Sequence, residues 1–351
     1  METMSWKLMK ILTALKTQNF PFLKTHFKNM RLEQLETQWK RIDNKEIEDG
    51  FHSIRISPDS IPDLYIGFDR GGLRNLILSI PKPHSFRFKG VAKQNLSIDY
   101  FEESNHIVIK LISSVYSDLF NDLILSLYKR ICYISNAEDY GNELIKAFYR
   151  WSGFFTDYTT NGLTDDVIKG LFGELTLLKE LVKQSDSFSI DEVLESWKGP
   201  YDARNDFESD TKCTEVKTKE ETKTEVRISS EFQLTLTPDK SLTLCIVSVS
   251  VNHEDGLTIS EQIDSVKELI SERNGEMGIL INALLQKGLF GASLPLYGHL
   301  KFKPMEMSFY DCSADNFPKI TTLNITSGIF EVSYNLRISQ LEEFKISQIK
   351  L

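Results

Sequence analysis

Three residues in the middle of the chain have the types and spacing for metal-dependent phosphodiester chemistry. Asp206 lies nine residues before Glu215, and Lys217 follows Glu215 by two. Side chains alternate along a β-strand, so a strand over residues 212–218 would place Glu215 and Lys217 on one face. The interval after Asp206 fits a short strand, a tight turn and the start of the next strand. Because Mg²⁺ takes one or two carboxylates plus waters and phosphate, these residues predict a Mg²⁺ site with a lysine beside it.

The acidic-x-Lys pattern alone carries little information in a chain with 26% charged residues. A single occurrence is typical of a solvated strand edge. The pattern occurs at five places: Asp43/Lys45, Asp210/Lys212, Glu215/Lys217, Glu221/Lys223 and Glu343/Lys345. The other candidate residues around Glu215 and Lys217 are what distinguish that occurrence.

A helix is predicted ahead of this site, from an N-cap at Thr164 to about Lys183. Glu174 falls inside its apolar stripe, where an unpaired buried charge would cost several kcal/mol. Glu174 therefore either faces the site of Asp206 and Glu215 or reaches water or an arginine from the edge of the stripe. Gly170 and Gly173 would let the helix approach a sheet closely. The stripe consists of Val167, Ile168, Leu171, Leu175, Leu178, Leu181 and Val182.

A set of motifs in a fixed order resembles the PD-(D/E)XK nuclease superfamily, the fold of many restriction endonucleases. More narrowly, it is similar to the branch called PD-(D/E)XK motif proteins, found beside restriction and phage-defence genes, and to subunits of a BsuMI-like restriction enzyme. The motifs are Gly170-Leu-Phe-Gly-Glu-Leu175, Trp197-x-Gly-Pro200, Asp206-Phe207, Glu215-Val-Lys-Thr218 and Ile228-Ser-Ser-x-x-Gln-Leu234.

The resemblance implies a role for each matching residue. Asp206 and Glu215 would be ligands of Mg²⁺, Lys217 the catalytic lysine and Glu174 an accessory carboxylate. Gln233 would contact substrate, although an exposed strand glutamine is the simpler interpretation of that residue.

One departure from the superfamily pattern concerns the residue before the aspartate. The signature proline is absent, since Asn205 precedes Asp206. Pro200-Tyr201-Asp202 offers another Pro-x-Asp, which makes Asp202 an alternative ligand. We favour Asp206, because the following Phe207 suits a strand and the spacing to Glu215 is short.

Composition and charge limit the class of protein. The net charge of −9 argues against a protein that coats DNA non-specifically. The stretch from Lys198 to Arg227 holds seven Lys/Arg and eight Asp/Glu, so DNA contacts would need another segment or subunit. The four cysteines have no C-x-x-C spacing, so reduced thiols are the simple interpretation. The apolar segment at the start of the chain is interrupted by lysines, which argues against a signal peptide. We therefore expect a cytoplasmic protein with reduced thiols and no membrane segment.

The fold expected is α/β (α+β), a restriction-endonuclease-like mixed sheet flanked by helices and preceded by a β-rich module. Predicted divisions are an extension over 1–29, a recognition or docking module over 30–135, a nuclease-like core over 136–310 and C-terminal strands and a tail over 311–351. Strands are predicted at 53–57, 64–68, 75–79, 86–88, 96–100, 107–111, 226–237, 242–251, 300–309 and 328–336. Helices are predicted at 115–134, 136–155 and 258–273, with a terminal helix or tail at 341–351.

Two functions fit these observations. The first is a Mg²⁺-dependent DNA endonuclease that forms one subunit of a restriction or phage-defence system. The second is a non-catalytic DNA-binding or scaffolding subunit that keeps the nuclease fold. Expected partners are double-stranded DNA and either other subunits, such as a methyltransferase and an ATPase, or a second copy of the chain.

Overall fold

The computed structural model describes residues 30–42, 50–156, 162–251, 254–289, 291, 293–326 and 328–351. The predicted extension over 1–29 lies outside these residues. The first described element is helix α1 (Leu32–Arg41), which buries Leu35 and Trp39. The division of the chain at residues 135 and 310 stays a prediction.

The N-terminal sheet is antiparallel and has the strand order β1-β2-β3-β6-β5-β4 among the described residues. The prediction of a β-rich module is confirmed, but residues 86–88 form a loop and the short β4 follows instead. The strands are β1 (Phe51–Arg55), β2 (Asp63–Asp69), β3 (Arg74–Ser79), β4 (Val91–Ala92), β5 (Leu96–Phe101) and β6 (His106–Leu111).

Two helices follow this sheet, α2 (Ser117–Ile131) and α3 (Ala137–Trp151). Trp39 of α1 donates its indole N–H to Asn121 of α2 at 2.9 Å. The guanidinium of Arg74 on β3 lies 4.7 Å from the centre of the Trp39 ring. These contacts fasten α1 and α2 to the N-terminal sheet, because the indole and the guanidinium each find a partner away from water.

The second sheet is mixed, with the order β13-β11-β10-β8-β7, and β8 runs parallel to β10 in its middle. One face packs against α4 and α6 through an apolar core that includes Val216 and Val247. The opposite face carries a second core that includes Leu244 and Tyr310. The elements are α4 (Asp165–Gln184), α5 (Ile190–Ser196), β7 (Phe207–Glu208), β8 (Lys212–Glu220), β9 (Glu225–Ile228), β10 (Ser241–Val251), α6 (Ile259–Arg273), α7 (Met277–Gln286), β11 (Phe302–Asp311), β12 (Tyr334–Arg337) and β13 (Lys345–Lys350).

The C-terminal half of the chain corrects three predictions. Of the strand predicted over 226–237 only residues 226–228 are extended; they belong to β9, which pairs with β12 in a separate two-stranded ribbon. The strand predicted over 328–336 is limited to Tyr334–Arg337. Residues 345–350 form an edge strand on β11 rather than a helix, because this pairing satisfies the backbone groups along that side of β11. The helices α5 and α7 were not predicted.

The approach of α4 to β8 depends on one glycine. A Cβ on Gly173 would lie 1.8 Å from Oγ1 of Thr218, so only glycine fits here. Gly170 has open space around its Cβ position, and the prediction of close approach holds for Gly173 alone. No described helix is long and apolar enough to cross a membrane.

Candidate metal-dependent active site

Helix α4 brings Glu174 to the site. Thr164 caps its start by accepting from the N–H of Val167, as predicted. Oε2 of Glu174 accepts a hydrogen bond of 2.7 Å from Nε1 of Trp197, so an indole and not an arginine is the partner of this carboxylate. Val167, predicted to lie in the apolar stripe, is 41% exposed because it is in the first turn of the helix, ahead of the packed segment.

The Trp197–Pro200 segment connects Glu174 to Asp206. The backbone N–H groups of Lys198 and Gly199 both donate to the carbonyl of Asp206, at 2.7 and 2.9 Å. A Cβ on Gly199 would lie 2.3 Å from Oε2 of Glu174 and 3.0 Å from Oδ1 of Asp206. The two carboxylates therefore meet over this glycine, and a larger residue would displace them.

Asp206 occupies the position where the β7–β8 pairing ends. Phe207 is paired with Thr214, and β7 does not extend far enough back to pair with the next part of β8. Oδ2 of Asp206 instead accepts from the N–H of Val216 at 2.7 Å. The carboxylate thus satisfies a backbone donor that the short strand leaves open, and this fixes its position.

Strand β8 presents Glu215 and Lys217 on the same face, as the alternation predicts. Nζ of Lys217 donates to Oε1 of Glu215 at 2.7 Å and to Oε1 of Gln233 at 3.1 Å. The side-chain amide of Asn205 donates to Oε2 of Glu215 at 3.2 Å and to the carbonyl of Gln233 at 2.7 Å. Gln233 lies in a turn rather than on a strand, and its side chain orients the lysine.

Burial and mutual repulsion shape the electrostatics of the three carboxyl groups. Burial, followed by the charge of Asp206, raises the pKa of Glu174 to about 8. Burial raises the pKa of Glu215 to about 7, an effect to which Asp206 adds and which Lys217 opposes. Burial also raises the pKa of Asp206, against the hydrogen bond from Val216 and the charges of Lys217 and Lys287. Lys217 alone therefore cannot neutralise the three carboxyl groups when all of them are ionised.

This donor set fits a hard divalent cation. The residues that the structure describes include no group of three His, Cys, Asp or Glu side chains close enough to hold a metal ion unaided. Mg²⁺ does not require such a group, because it keeps several waters and binds through one or two carboxylates. Asp206 and Glu215, with Glu174 beside them, supply those oxygens, and a cation would relieve the repulsion by which Asp206 raises the pKa values of Glu174 and Glu215.

The structure brings Glu174, Asp206, Glu215, Lys217 and Gln233 together. Asp202 lies apart from them, in a left-handed conformation with φ 54°, and its exposed carboxylate pairs with Lys287.

Sequence reasoning singled out Trp197 and Gly199 in a motif but gave them no role; the structure makes Trp197 the partner of Glu174 and Gly199 the space for two carboxylates. It missed Asn205 as a donor and Lys287 as a nearby cation. The absent signature proline was the available signal for Asn205. A proline at this position has no side-chain amide, so it could not make the bonds to Glu215 and Gln233.

Comparison with known proteins places the chain in a family. A family model described as "Putative PD-(D/E)XK family member, (DUF4420)" matches residues 35–339, most of the chain. No curated protein and no solved structure matches the chain. The matched residues contain the N-terminal sheet, the second sheet except β13, and the whole carboxylate site. PD-(D/E)XK nucleases generally use divalent metal ions. The chain belongs to this PD-(D/E)XK family.

Proposed function

We propose that the protein is a Mg²⁺-dependent DNA endonuclease of a restriction or phage-defence system. The observation that carries this proposal is the convergence of Glu174, Asp206, Glu215 and Lys217. They come from a helix, a loop and a strand, and the site they form has excess buried acid beside one ammonium group. A purely structural role would not require a buried and two partly buried carboxyl groups, of which Asp206 raises the pKa of both Glu174 and Glu215.

Asp206 and Glu215 would hold Mg²⁺, which when bound supplies a Lewis acid for the scissile phosphate and its attacking water. Asn205 keeps Glu215 in place, and the N–H of Val216 does the same for Asp206. Trp197 holds Glu174 at the edge of the pair, where the carboxylate can accept a hydrogen bond from a water.

Lys217 has three N–H donors, and two of them are directed at Glu215 and Gln233. The remaining donor is free to stabilise negative charge on the phosphate or to orient a water. Because Gln233 also accepts from the backbone of Ser229, the position of the ammonium is set by the turn that follows β9. In this proposal Gln233 positions the lysine, which replaces the predicted substrate contact.

The proposed substrate is double-stranded DNA, and the proposed partners are other subunits, such as a methyltransferase and an ATPase, or a second copy of the chain. The balance of seven Lys/Arg against eight Asp/Glu around the site supports the need for such partners. Phosphate contacts dominate DNA affinity, so a cleft without excess positive charge requires basic groups from elsewhere.

The test is Mg²⁺-dependent cleavage of unmodified phage DNA by the purified protein, alone and with the subunits encoded beside it. Glu215→Ala and Lys217→Ala should each lower the cleavage rate by about a thousandfold or more, since each removes a group needed at the reacting phosphate. Glu221→Ala and Lys223→Ala are matched controls, because they alter the same acidic-x-Lys pattern at an exposed turn.

Cleavage that disappears in the site variants and persists in the controls supports the proposal. Cleavage that is unchanged in the site variants contradicts it. DNA binding without cleavage under every combination of subunits would instead favour the non-catalytic binding subunit.

A further inference from the structure

A second lysine lies near the carboxylate site, apart from Lys217. Lys287 directly follows helix α7, and its ammonium group is paired with the carboxylate of Asp202. The charge of Lys287 lowers the pKa of both Glu174 and Asp206, so the lysine lies within electrostatic range of these two groups. The proposed cleavage reaction uses Lys217 and leaves Lys287 without a role.

The two lysines act on different carboxyl groups. Lys217 is bonded to Glu215 at 2.7 Å, and its charge lowers the pKa of Glu215 and Asp206. The charge of Lys287 lowers the pKa of Asp206 and Glu174. Because electrostatic effects weaken with distance, Asp206 lies between the two lysines, and Lys287 is at the Glu174 end. The row of carboxyl groups therefore has a cation at each end.

The end of α7 determines the position of Lys287. Gly288 has a left-handed backbone with φ 71°, and its N–H donates to the carbonyl of Leu285. Glycine adopts this conformation without strain, so the helix ends here and the lysine occupies its last position. Five residues earlier, Asn282 donates to the hydroxyl of Tyr201 at 2.8 Å. The helix is thus fastened to the turn that lies over Glu174 and Asp206.

The ammonium group of Lys287 has donors to spare. It carries three N–H groups, and Asp202 is its one partner among the residues that the structure describes. The side chain of Asp202 is 88% exposed, whereas that of Lys287 is 22% exposed. An ion pair with so exposed a carboxylate contributes little to stability, so another anion can displace Asp202 at low cost.

A phosphate group of a nucleic acid strand fits this position. Its charge and its acceptor oxygens match an ammonium group with free donors. A strand whose scissile phosphate lies at Asp206 and Glu215 carries further phosphates on both sides. In one direction the strand passes Glu174, where Lys287 supplies the positive charge that the carboxyl groups lack.

We propose that Lys287 binds a phosphate next to the scissile one, on the Glu174 side of the site, and exchanges Asp202 for it. This inference rests on the proposed function for its substrate, DNA, and does not require cleavage. Lys287 holds the strand, whereas Lys217 acts at the reacting phosphate. Because the flanking contact is the same in the bound substrate and in the transition state, its loss should raise KM and leave kcat nearly unchanged.

The first experiment measures DNA binding in Mg²⁺ at several salt concentrations. It uses the full chain with Lys217→Ala, which keeps the carboxyl groups and suppresses cleavage, together with the subunits encoded beside it. Adding Lys287→Gln should weaken binding by about tenfold at low salt. It should also reduce the slope of the logarithm of the binding constant against the logarithm of salt concentration by about 0.9, the value for one phosphate. Lys287→Arg should preserve the slope, since a guanidinium group also binds phosphate.

Two variants separate a phosphate contact from a structural pair or a general loss of charge. Asp202→Asn should leave the salt slope unchanged, because Lys287 stays in place; a lysine that only paired with Asp202 would give the same result in both variants. Lys303→Gln is the matched control, since Lys303 is also paired with an exposed aspartate, Asp255, at 3.3 Å. It lies at the end of β11 far from the residue aligned with Glu215.

The second experiment measures cleavage by the chain with Lys217 intact. Lys287→Gln should raise KM by about tenfold and change kcat by less than about twofold. An unchanged salt slope in Lys287→Gln, or a lower kcat at unchanged KM, overturns this inference and leaves the proposed function standing. A reduced slope in a protein that binds DNA and never cleaves it supports the inference and contradicts the endonuclease. The absence of DNA binding overturns both.

Discussion

Two buried lysine–carboxylate pairs in this protein have the same geometry and different surroundings. Lys217 lies 2.7 Å from Glu215 in the candidate site, and Lys267 of α6 lies 2.7 Å from Asp122 of α2. In both pairs the carboxylate is almost completely buried. Burial is the largest cause that raises the pKa of each acid. Distance and burial alone would not distinguish a functional pair from a structural one.

The difference lies in where the additional acids are. Near Lys267 the further carboxylates, Asp264 and Asp118, lie at the exposed surface, although partial burial raises the pKa of Asp264. Near Lys217 the further carboxylates, Asp206 and Glu174, are partly buried and lie beside the fully buried Glu215. The pair between α2 and α6 is therefore close to neutral where it is buried, and it fastens two helices. The pair on β8 leaves uncompensated buried acid, which is the condition that a cation satisfies.

The largest expected effect is on stability. Lys267→Met should lower the free energy of unfolding by about 3–5 kcal/mol, because it leaves Asp122 buried without a partner. Lys217→Met should cost less, since Glu215 keeps the hydrogen bond from the side-chain amide of Asn205. Urea unfolding at neutral pH measures both, with Lys146→Met in an exposed pair as the control. Equal losses for Lys267 and Lys217 would remove the distinction between the two pairs.

The next effect is a pH-dependent stabilisation by Mg²⁺. Folding raises the pKa of Glu174 to about 8 and that of Glu215 to about 7, from an ordinary 4.5. Without metal, the folded state binds more protons than the unfolded chain between about pH 4.5 and 8. This contribution to stability is complete below that window and is lost as the pH rises through it.

Mg²⁺ must displace these protons, so it should bind more tightly at pH 8.5 than at pH 6. At a hundredfold excess over its Kd a ligand adds about 2.7 kcal/mol, which corresponds to a rise of several degrees in Tm. Thermal melts with and without Mg²⁺ at the two pH values measure the difference. Glu215→Gln should remove most of it, and an equal rise in Tm at both pH values would count against carboxylate ligands with raised pKa.

Two glycines provide a matched test of the contact between Glu174 and Asp206. Gly199→Ala should lower the cleavage rate by about tenfold to a hundredfold, because the added Cβ would displace both carboxylates. Gly170→Ala should leave cleavage unchanged and raise stability by about 0.5–1 kcal/mol, since its Cβ meets open space within a helix. Cleavage rates and urea unfolding of both variants would show whether the site depends on that one position.

Local signals in the sequence predicted much of this arrangement. The N-cap at Thr164 and the alternation along β8 are set by neighbouring residues, and both are confirmed. The hydrogen-bond partners of the site residues were harder to predict from the sequence. The bonds from Trp197 to Glu174 and from Asn205 to Gln233 join residues more than twenty positions apart. Such contacts depend on how α4, β8 and the turn after β9 pack together.

The C-terminal strand β13 shows the same limit on a larger scale. Residues 345–350 alternate only weakly and were expected to form a helix or tail, and their extended conformation follows from pairing with β11. Edge strands are defined by the neighbour they join more than by their own residue types.

The smallest expected effect decides between the two aspartates. Asp202→Asn should change cleavage by less than about twofold and stability by less than about 1 kcal/mol, because an exposed ion pair such as that with Lys287 contributes little. Asp206→Asn should abolish Mg²⁺-dependent cleavage while keeping its hydrogen bond from Val216 through the amide oxygen. The opposite result, with loss of cleavage in Asp202→Asn alone, would make Pro200-Tyr201-Asp202 the functional motif. It would also show that the buried acid beside Lys217 is as structural as the pair between α2 and α6.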